Sequence, residues 1–242
     1  MPMETIERVR YTVGSHRLAW RAARALREVA EQASDPDEVV EATASKSYGP
    51  TSVRPVQVRS ELLDFLALVR SAKPQRVLEI GTAEGGMLFL LAWASSPGAH
   101  VLSLDIQKYD AARLRLYRGF GRRGQHLDVL HADSHLDDTR REVEKFFRDH
   151  LLDVLFIDGD HSYDGVREDY QRYSPLVRPG GLVAFHDIVE GRPETSGDVP
   201  RFWREIRSSL VEPLELVESW DQGGFGIGVG RAPAGQATRA AG

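Results

Sequence analysis

Short apolar runs alternate with amphipathic segments along most of the chain, and this alternation predicts the order of strands and helices. The predicted strands are residues 77–80, 101–104, 128–131, 154–157, 182–185, 214–218 and 225–229, and the helices between them are 87–93, 111–119, 139–148, 163–173 and 200–210. Strands that alternate with helices favour a parallel sheet with helices on both faces. The sequence therefore predicts an α/β, Rossmann-like sheet that is mostly parallel, with its last strand antiparallel.

Helical segments also precede the first predicted strand. Residues 15–32 place apolar side chains at helical spacing, with arginines on the opposite face. Asp35 and Pro36 are typical of a helix N-cap and of the first helical position, and residues 58–69 form a further amphipathic helix. We expect this N-terminal helical extension to act either as a packing surface or dimer contact, or as a lid over the substrate.

The length of 242 residues suits one α/β domain with a small extension. We expect three segments: residues 1–55 as the helical extension, 56–231 as the ligand-binding domain and 232–242 as a disordered tail. The long N-terminal helix favours a homo-oligomer, a dimer or larger.

Composition excludes several classes of protein. No apolar run approaches the roughly 20 residues that a membrane span needs, and the N-terminus is charged rather than apolar. There is no cysteine for a disulfide or a thiol nucleophile, and the net charge of −5 argues against nucleic acid as a partner. We expect a cytoplasmic enzyme that acts on a small molecule.

A glycine turn follows the first predicted strand directly and leads into an apolar helix. Its spacing is Gly81-x-x-x-Gly85-Gly86, which departs from the dinucleotide pattern G-x-G-x-x-G. Glu79 and Glu84 would repel a pyrophosphate and favour a cationic or zwitterionic ligand such as S-adenosylmethionine. The candidate cofactor-binding residues here are Glu79, Gly81, Thr82, Ala83, Glu84, Gly85 and Gly86.

The next two strands end in further candidates for the same ligand. Asp105 lies 24 positions after Gly81, where this architecture holds a ribose diol, although it could simply cap the next turn. Ile106 follows it. Asp133 and Ser134 come after the third strand, and Asp133 is expected either to accept from an adenine amino group or to cap the next helix.

The fourth and fifth strands end in polar residues that suggest a metal ion and a general base. Asp158 and Asp187 terminate neighbouring strands. Two carboxylates at such a short distance from each other favour a divalent cation such as Mg²⁺ between them. The alternative is that both cap turns without a metal. His186 is a weaker candidate ligand, and His161 is the candidate general base because an imidazole accepts a proton near neutrality.

At these residues the chain resembles a known family. The segments VLEIGTAEGG, LSLDI, FIDGDHSYDGVREDY, RPGGLVAFHDI and VPRFWREI are similar to class I S-adenosylmethionine-dependent methyltransferases, specifically the cephalosporin-hydroxylase-like and macrocin-O-methyltransferase-like branch. The resemblance covers about residues 50–230.

The resemblance implies methyl transfer to oxygen, often with Mg²⁺ held at Asp158 and Asp187. Metal-dependent catechol O-methyltransferases have a lysine base at the position of His161 and an Asn ligand at the position of Ile188. The third metal ligand is therefore open between His186, Asp160 and water.

The sequence thus predicts an O-methyltransferase, with a sugar hydroxyl of a natural product as the first candidate acceptor and a phenol as the second. Its substrate pocket is expected between the N-terminal segment and a lid at residues 190–199. One alternative is a nicotinamide-dependent oxidoreductase on the same sheet. Others are a cephalosporin-hydroxylase-like tailoring protein without methyl transfer, including an iron site at His161, His186 and Asp187, and a binding partner without turnover.

Overall fold

The structure is a computed structural model and describes residues 3–45, 52–122 and 124–234. Its strands are β1 (Arg76–Ile80), β2 (His100–Asp105), β3 (His126–His131), β4 (Leu152–Ile157), β5 (Val177–His186), β6 (Val211–Leu216) and β7 (Ile227–Arg231). They form one sheet in the order β3-β2-β1-β4-β5-β7-β6. Strands β1 to β5 pair in parallel, and β7 is antiparallel to both of its neighbours. The predicted sheet is confirmed.

Helices cover both faces of this sheet. They are α1 (Met3–Gln32), α2 (Pro36–Ser45), α3 (Arg59–Ala72), α4 (Gly86–Ala94), α5 (Ala111–Arg118), α6 (Asp137–Phe146), α7 (Tyr163–Tyr173) and α8 (Val199–Ile206). Side chains from α1 to α5 share one apolar core with one face of the strands, and side chains from α6 to α8 share a second core with the other face. Among the described residues, none of these helices has the length and apolar content that crossing a bilayer requires.

The N-terminal extension packs against the domain. Ala19, Ala22 and Leu26 of α1 are buried in the first core, next to α5. The Asp35 carboxylate accepts a hydrogen bond from the Asp37 amide at 2.9 Å, as an N-terminal cap should. At the other end, Ala232 is buried and pairs with the backbone of Gly181, so the ordered chain extends past the predicted boundary at 231. The rest of the predicted tail, residues 235–242, lies outside the described residues.

The carboxyl ends of four strands lie level with one another. Ile80 of β1 pairs with Leu104 of β2 and with Ile157 of β4, which in turn pairs with Phe185 of β5. The strand order reverses direction between β1 and β4, the point where open α/β sheets form a ligand crevice. The residues that follow these four strands therefore meet at one edge of the sheet.

The closing hairpin differs from its prediction. β7 starts at Ile227 rather than at 225, because Phe225 and Gly226 adopt φ angles of 64° and 82°. This left-handed region is incompatible with an extended strand and is uncommon for a residue with a side chain. Phe225 is therefore part of a loop at the ligand edge of the sheet.

Candidate active site

The glycine turn after β1 brings bare backbone against the end of β4. Gly81 has φ of 97°, and a Cβ atom there would lie 1.9 Å from the backbone oxygen of Asp158. Gly85 has φ of 78° and precedes α4, and its Cβ would lie 2.3 Å from the Tyr117 ring. Only glycine fits at either position, and the turn leads directly into α4.

Glu79 lies beneath this turn rather than on the cleft wall. It is buried, and the Ser103 hydroxyl donates a hydrogen bond to one of its carboxylate oxygens. The other oxygen, Oε1, is buried without a partner in the described structure. Burial raises the pKa of Glu79 well above its usual range. The Ser103 oxygen in turn lies 2.6 Å from the Thr82 hydroxyl. Glu79 therefore supports the glycine turn through Ser103.

Asp105 connects the end of β2 to the glycine turn. Its Oδ2 accepts from the amides of Thr82 and Ala83 at 2.9 and 3.0 Å and from the Tyr109 hydroxyl at 2.6 Å, while Oδ1 accepts from the Gln107 amide at 2.7 Å. Oδ1 has a single donor and Oδ2 has three, so Oδ1 is the oxygen that can accept from a ligand. Asp105 therefore caps the glycine turn and the turn that follows β2. This capping is compatible with a contact to a ribose.

The residues after β3 form the next part of the wall. The Asp133 carboxylate accepts from the His135 amide at 2.9 Å, and the Ser134 carbonyl accepts from the Tyr173 hydroxyl at 2.7 Å. Ile106 lines the cleft, and 72% of its surface is exposed to solvent. An exposed apolar side chain beside polar acceptors suits a flat heteroaromatic ligand.

Two carboxylates and two imidazoles meet at the ends of β4 and β5. His186 Nδ1 lies 3.1 Å from Asp158 Oδ1 and 3.2 Å from Asp187 Oδ2, and only 2% of its side chain is exposed. On the cleft side, His161 Nε2 lies 3.5 Å from the same two oxygen atoms. His186 thus bridges the carboxylates from the protein interior, and His161 bridges them from the cleft.

The charges of this cluster depend on one another. Burial opposes ionisation of Asp158, but His186 and His161 outweigh burial and lower the pKa of Asp158 to about 2. Burial would likewise lower the pKa of His186, yet Asp158 and Asp187 raise it to about 10. The hydrogen bond with Asp158 raises the pKa of His161. Asp158 is therefore ionised, and the protonated imidazole of His186 balances its charge.

His161 is held in one orientation by the loop before α8. Its Nδ1 is hydrogen-bonded to the Thr195 carbonyl, and its own carbonyl accepts from the Asp198 amide at 2.8 Å. Gly197 packs directly on its backbone, where a Cβ would lie 2.2 Å from the His161 oxygen. Since Nδ1 must carry the hydrogen toward Thr195, Nε2 is the nitrogen that can accept a proton or a metal ion. The predicted lid segment thus packs on the candidate base.

These groups line one cleft of about 780 Å³. Ten predicted residues lie on its wall: Gly81, Ala83, Asp105, Ile106, Asp133, Ser134, Asp158, His161, His186 and Asp187. The remaining predicted residues, Glu79, Thr82, Glu84, Gly85 and Gly86, are behind the wall or beside it. Six of the described lining residues are Asp or Glu, and none is Lys or Arg.

The sequence analysis did not identify two residues that donate hydrogen bonds to the carboxylates of the cluster. Gln57, just before α3, donates from Nε2 to Asp158 Oδ2 at 3.0 Å. The Phe225 amide donates to Asp187 Oδ1 at 3.1 Å, and its ring lines the cleft. The only sequence signal for Phe225 is the glycine-rich run around it, which the alternation of apolar residues led us to assign to a strand.

The donor atoms of the cluster fit a hard divalent cation. Ligand atoms of Asp158, His161 and Asp187 all lie within 4.8 Å of one another. The sequence analysis left the third ligand open between His186, Asp160 and water. His186 Nδ1 is hydrogen-bonded to Asp158 and only 2% of its side chain is exposed, and its role as a ligand stays a prediction.

Comparison with known families agrees with the fold. Residues 78–188 match the family model described as a methyltransferase domain. An uncharacterized protein of Sinorhizobium fredii is 29% identical over 158 residues, which are 61% of this chain and 17% of that protein. The chain therefore spans less than a fifth of that curated relative's length.

Solved structures with the same fold include two O-methyltransferases. The enzyme from Bacillus cereus in complex with SAH is 20% identical, with a TM-score of 0.54 over 83% of this chain and 91% of that one. The O-methyltransferase TomG from Streptomyces achromogenes in complex with SAM is 18% identical, with a TM-score of 0.56 over 84% of this chain and 91% of that one. These likenesses confirm the fold that the predicted resemblance implies.

Proposed function

We propose that this methyltransferase domain transfers the methyl group of S-adenosylmethionine to a hydroxyl group of a small acceptor, with a divalent cation at the end of β4 and β5. The observation that carries the proposal is the single cleft in which the glycine turn, Asp105 and the group Asp158, His161 and Asp187 come together. S-adenosylmethionine supplies an electrophilic methyl group when it is bound.

The first half of the cleft has the chemistry to hold that cofactor. The start of α4, which follows the glycine turn, would offer free N–H groups and the positive end of its dipole to a carboxylate. Asp105 keeps an acceptor site on Oδ1 for a ribose hydroxyl. Asp133 and the exposed side chain of Ile106 suit the edge and the face of an adenine ring. No basic side chain is needed, because this cofactor carries no phosphate.

The second half of the cleft has the chemistry to activate a hydroxyl. Asp158 and Asp187 offer carboxylate oxygens, the ligand type that Mg²⁺ prefers. A divalent cation held by them would lower the pKa of an acceptor hydroxyl and orient its oxygen. The donor set supports this proposal, because ligand atoms of Asp158, His161 and Asp187 lie within 4.8 Å of one another on the cleft wall, as the ligands of one cation would.

We assign the general base to His161. Its Nδ1–H is committed to the Thr195 carbonyl, so Nε2, which lies 3.5 Å from Asp158 Oδ1 and Asp187 Oδ2, is the atom that would accept the hydroxyl proton. The carboxylates that raise the pKa of His161 are those that a cation would neutralise, so the imidazole is neutral and able to act in the loaded site. Alignment of the acceptor oxygen with the methyl group supplies the rest of the acceleration.

The charge of the cleft restricts the class of acceptor that can bind there. Its six lining carboxylates and the absence of Lys or Arg among the described lining residues disfavour acceptors that carry phosphate or carboxylate groups. We therefore propose an uncharged or cationic polyhydroxylated acceptor, with a sugar hydroxyl of a natural product first and a phenol second. The role of TomG in tomaymycin synthesis supports a natural-product acceptor by analogy.

A methyl-transfer assay with paired acceptors tests this proposal. The purified chain is incubated with S-adenosylmethionine, Mg²⁺ and neutral glycosides or phenols, each beside its phosphorylated counterpart, and methylated products are measured by mass spectrometry. We expect product from neutral acceptors only, loss of product in EDTA and recovery with excess Mg²⁺. Equal turnover of the phosphorylated acceptors would contradict the proposed acceptor class, and full turnover in EDTA would contradict the cation.

A further inference from the structure

A buried carboxylate outside the cleft has no role in the proposed chemistry. Glu61 lies in the first turn of α3 and is 1% exposed. Its Oε1 accepts from the Glu218 amide at 3.1 Å and from Gln222 Nε2 at 2.7 Å, and its Oε2 accepts from the Gly226 amide at 3.0 Å. All three donors are uncharged. A buried carboxylate needs such donors, and here they hold one segment of the chain.

That segment is the hairpin loop, residues 217–226, between β6 and β7. Its three glycines, Gly223, Gly224 and Gly226, have positive φ angles, and within the loop the Gln222 side chain bridges Ser219 and Gly224. Glu61 ties together its start, at Glu218, and its end, at Gly226. The only other side-chain restraint that the structure gives from α3 is the Ser60 hydroxyl on Glu218 Oε2. Among the described residues of α3, Glu61 is therefore the side chain with the most hydrogen bonds to the hairpin loop.

The other side of the hairpin loop contacts the candidate metal centre. The Phe225 amide donates to Asp187 Oδ1 at 3.1 Å, and the Phe225 carbonyl accepts from the Val189 amide at 2.9 Å. Phe225 and Asp187 both have φ of 64°. Non-glycine residues keep this left-handed conformation only where their surroundings fix it. The contacts between the hairpin loop and the strand end fix both residues together.

We propose that Glu61 is a positioning residue for Asp187 and that it acts through Gly226 and Phe225. By holding the Gly226 amide, Glu61 fixes the peptide that follows Phe225, and the Phe225 N–H in turn fixes Asp187 Oδ1. This leaves Asp187 Oδ2 directed toward Asp158 and His161. The proposal rests on the proposed function in one respect: the group that Asp187 helps to hold is the divalent cation.

The substitution Glu61→Gln tests this coupling with a minimal change of shape. A carboxamide has one acceptor oxygen and one NH₂ donor. If its oxygen keeps the two donors at Oε1, its NH₂ group faces the Gly226 N–H and that hydrogen bond is lost. The matched control is Glu218→Gln, which makes the same change on an exposed side chain of the hairpin loop whose partner is Ser60.

Two measurements are made on both variants and on the wild type. Calorimetry measures the affinity for Mn²⁺ and for S-adenosylhomocysteine, and hydrogen exchange with mass spectrometry measures backbone protection in residues 186–189. For Glu61→Gln we expect Mn²⁺ affinity to fall about 10-fold to 100-fold, as for other residues that orient metal ligands. S-adenosylhomocysteine affinity should stay unchanged, exchange in residues 186–189 should rise, and Glu218→Gln should match the wild type in all three.

The outcomes separate this proposal from the proposed function. Wild-type Mn²⁺ affinity and unchanged exchange at 186–189 in Glu61→Gln would overturn it, as would a rise confined to the hairpin loop. If the wild type binds no Mn²⁺, the proposed cation site fails, and exchange at 186–189 alone decides the role of Glu61. If Glu61→Gln does not fold, Gln222→Ala removes one donor of Glu61, and we expect smaller changes in the same direction; their absence would contradict the proposal.

Discussion

Replacement of Asp158 by asparagine should lower methyl transfer by about 10³-fold or more, since loss of a metal's charge stabilisation is worth several kcal/mol of barrier. Asp158 is the residue on which the cluster converges: Gln57, His186 and His161 all lie against its carboxylate. The asparagine keeps the shape but removes the charge that a divalent cation needs. Turnover and Mn²⁺ affinity are measured on the same preparation.

Affinity for S-adenosylhomocysteine serves as the internal control for this variant. It should change little, because the contact between the glycine turn and residue 158 is made by the backbone oxygen. Asp164→Asn makes the same charge change on α7, where the carboxylate is 82% exposed, and should behave as the wild type. Near-normal turnover of Asp158→Asn in the presence of a chelator would contradict the metal-assisted mechanism.

Replacement of His161 by alanine should lower turnover by about 10²-fold to 10⁴-fold, the usual contribution of a positioned general base. The imidazole is fixed at Nδ1 by the Thr195 carbonyl and has only Nε2 left for the acceptor proton. Affinities for S-adenosylhomocysteine and Mn²⁺ should stay close to those of the wild type. Single-turnover rates and calorimetry measure these two effects separately.

The same variant distinguishes a base from a metal ligand. Nε2 has one lone pair, so His161 cannot coordinate a cation and accept a proton at once. Loss of Mn²⁺ affinity together with turnover would contradict the base assignment and make His161 the third ligand beside Asp158 and Asp187. His150→Ala is a suitable control, since this exposed histidine precedes β4 at the opposite edge of the sheet.

The ligand edge of the sheet was predictable because it follows from short-range patterns. Apolar runs gave the strands, and each run that ended in Asp or Gly placed that residue at the carboxyl edge of a parallel sheet. Asp105, Asp158 and Asp187 were identified in this way, and all three line the cleft. The requirement for glycine at Gly81 was also predictable, although the backbone that it approaches, Asp158, was not.

The supporting contacts were not predictable because they join residues that are distant in the sequence. Gln57 and Asp158 are 101 positions apart, and Glu61 and Gly226 are 165 apart. No periodicity in a single sequence pairs such residues. The sequence also gave no sign that Phe225 and Asp187 adopt left-handed backbone conformations, which moved Phe225 out of its predicted strand and into the cleft. Whether the imidazole of His161 or that of His186 is the more exposed to the cleft likewise depends on burial, which the sequence alone does not give.

The central claim, that the cleft at the glycine turn binds the methyl-donor cofactor, is tested most directly by calorimetric titration of the purified chain with S-adenosylhomocysteine. The titration is made with Mg²⁺ and with EDTA, and NADH is titrated in parallel. The account predicts micromolar binding of S-adenosylhomocysteine in both buffers and no binding of NADH. Absence of S-adenosylhomocysteine binding at millimolar concentration in both buffers, or tight binding of NADH alone, would contradict it.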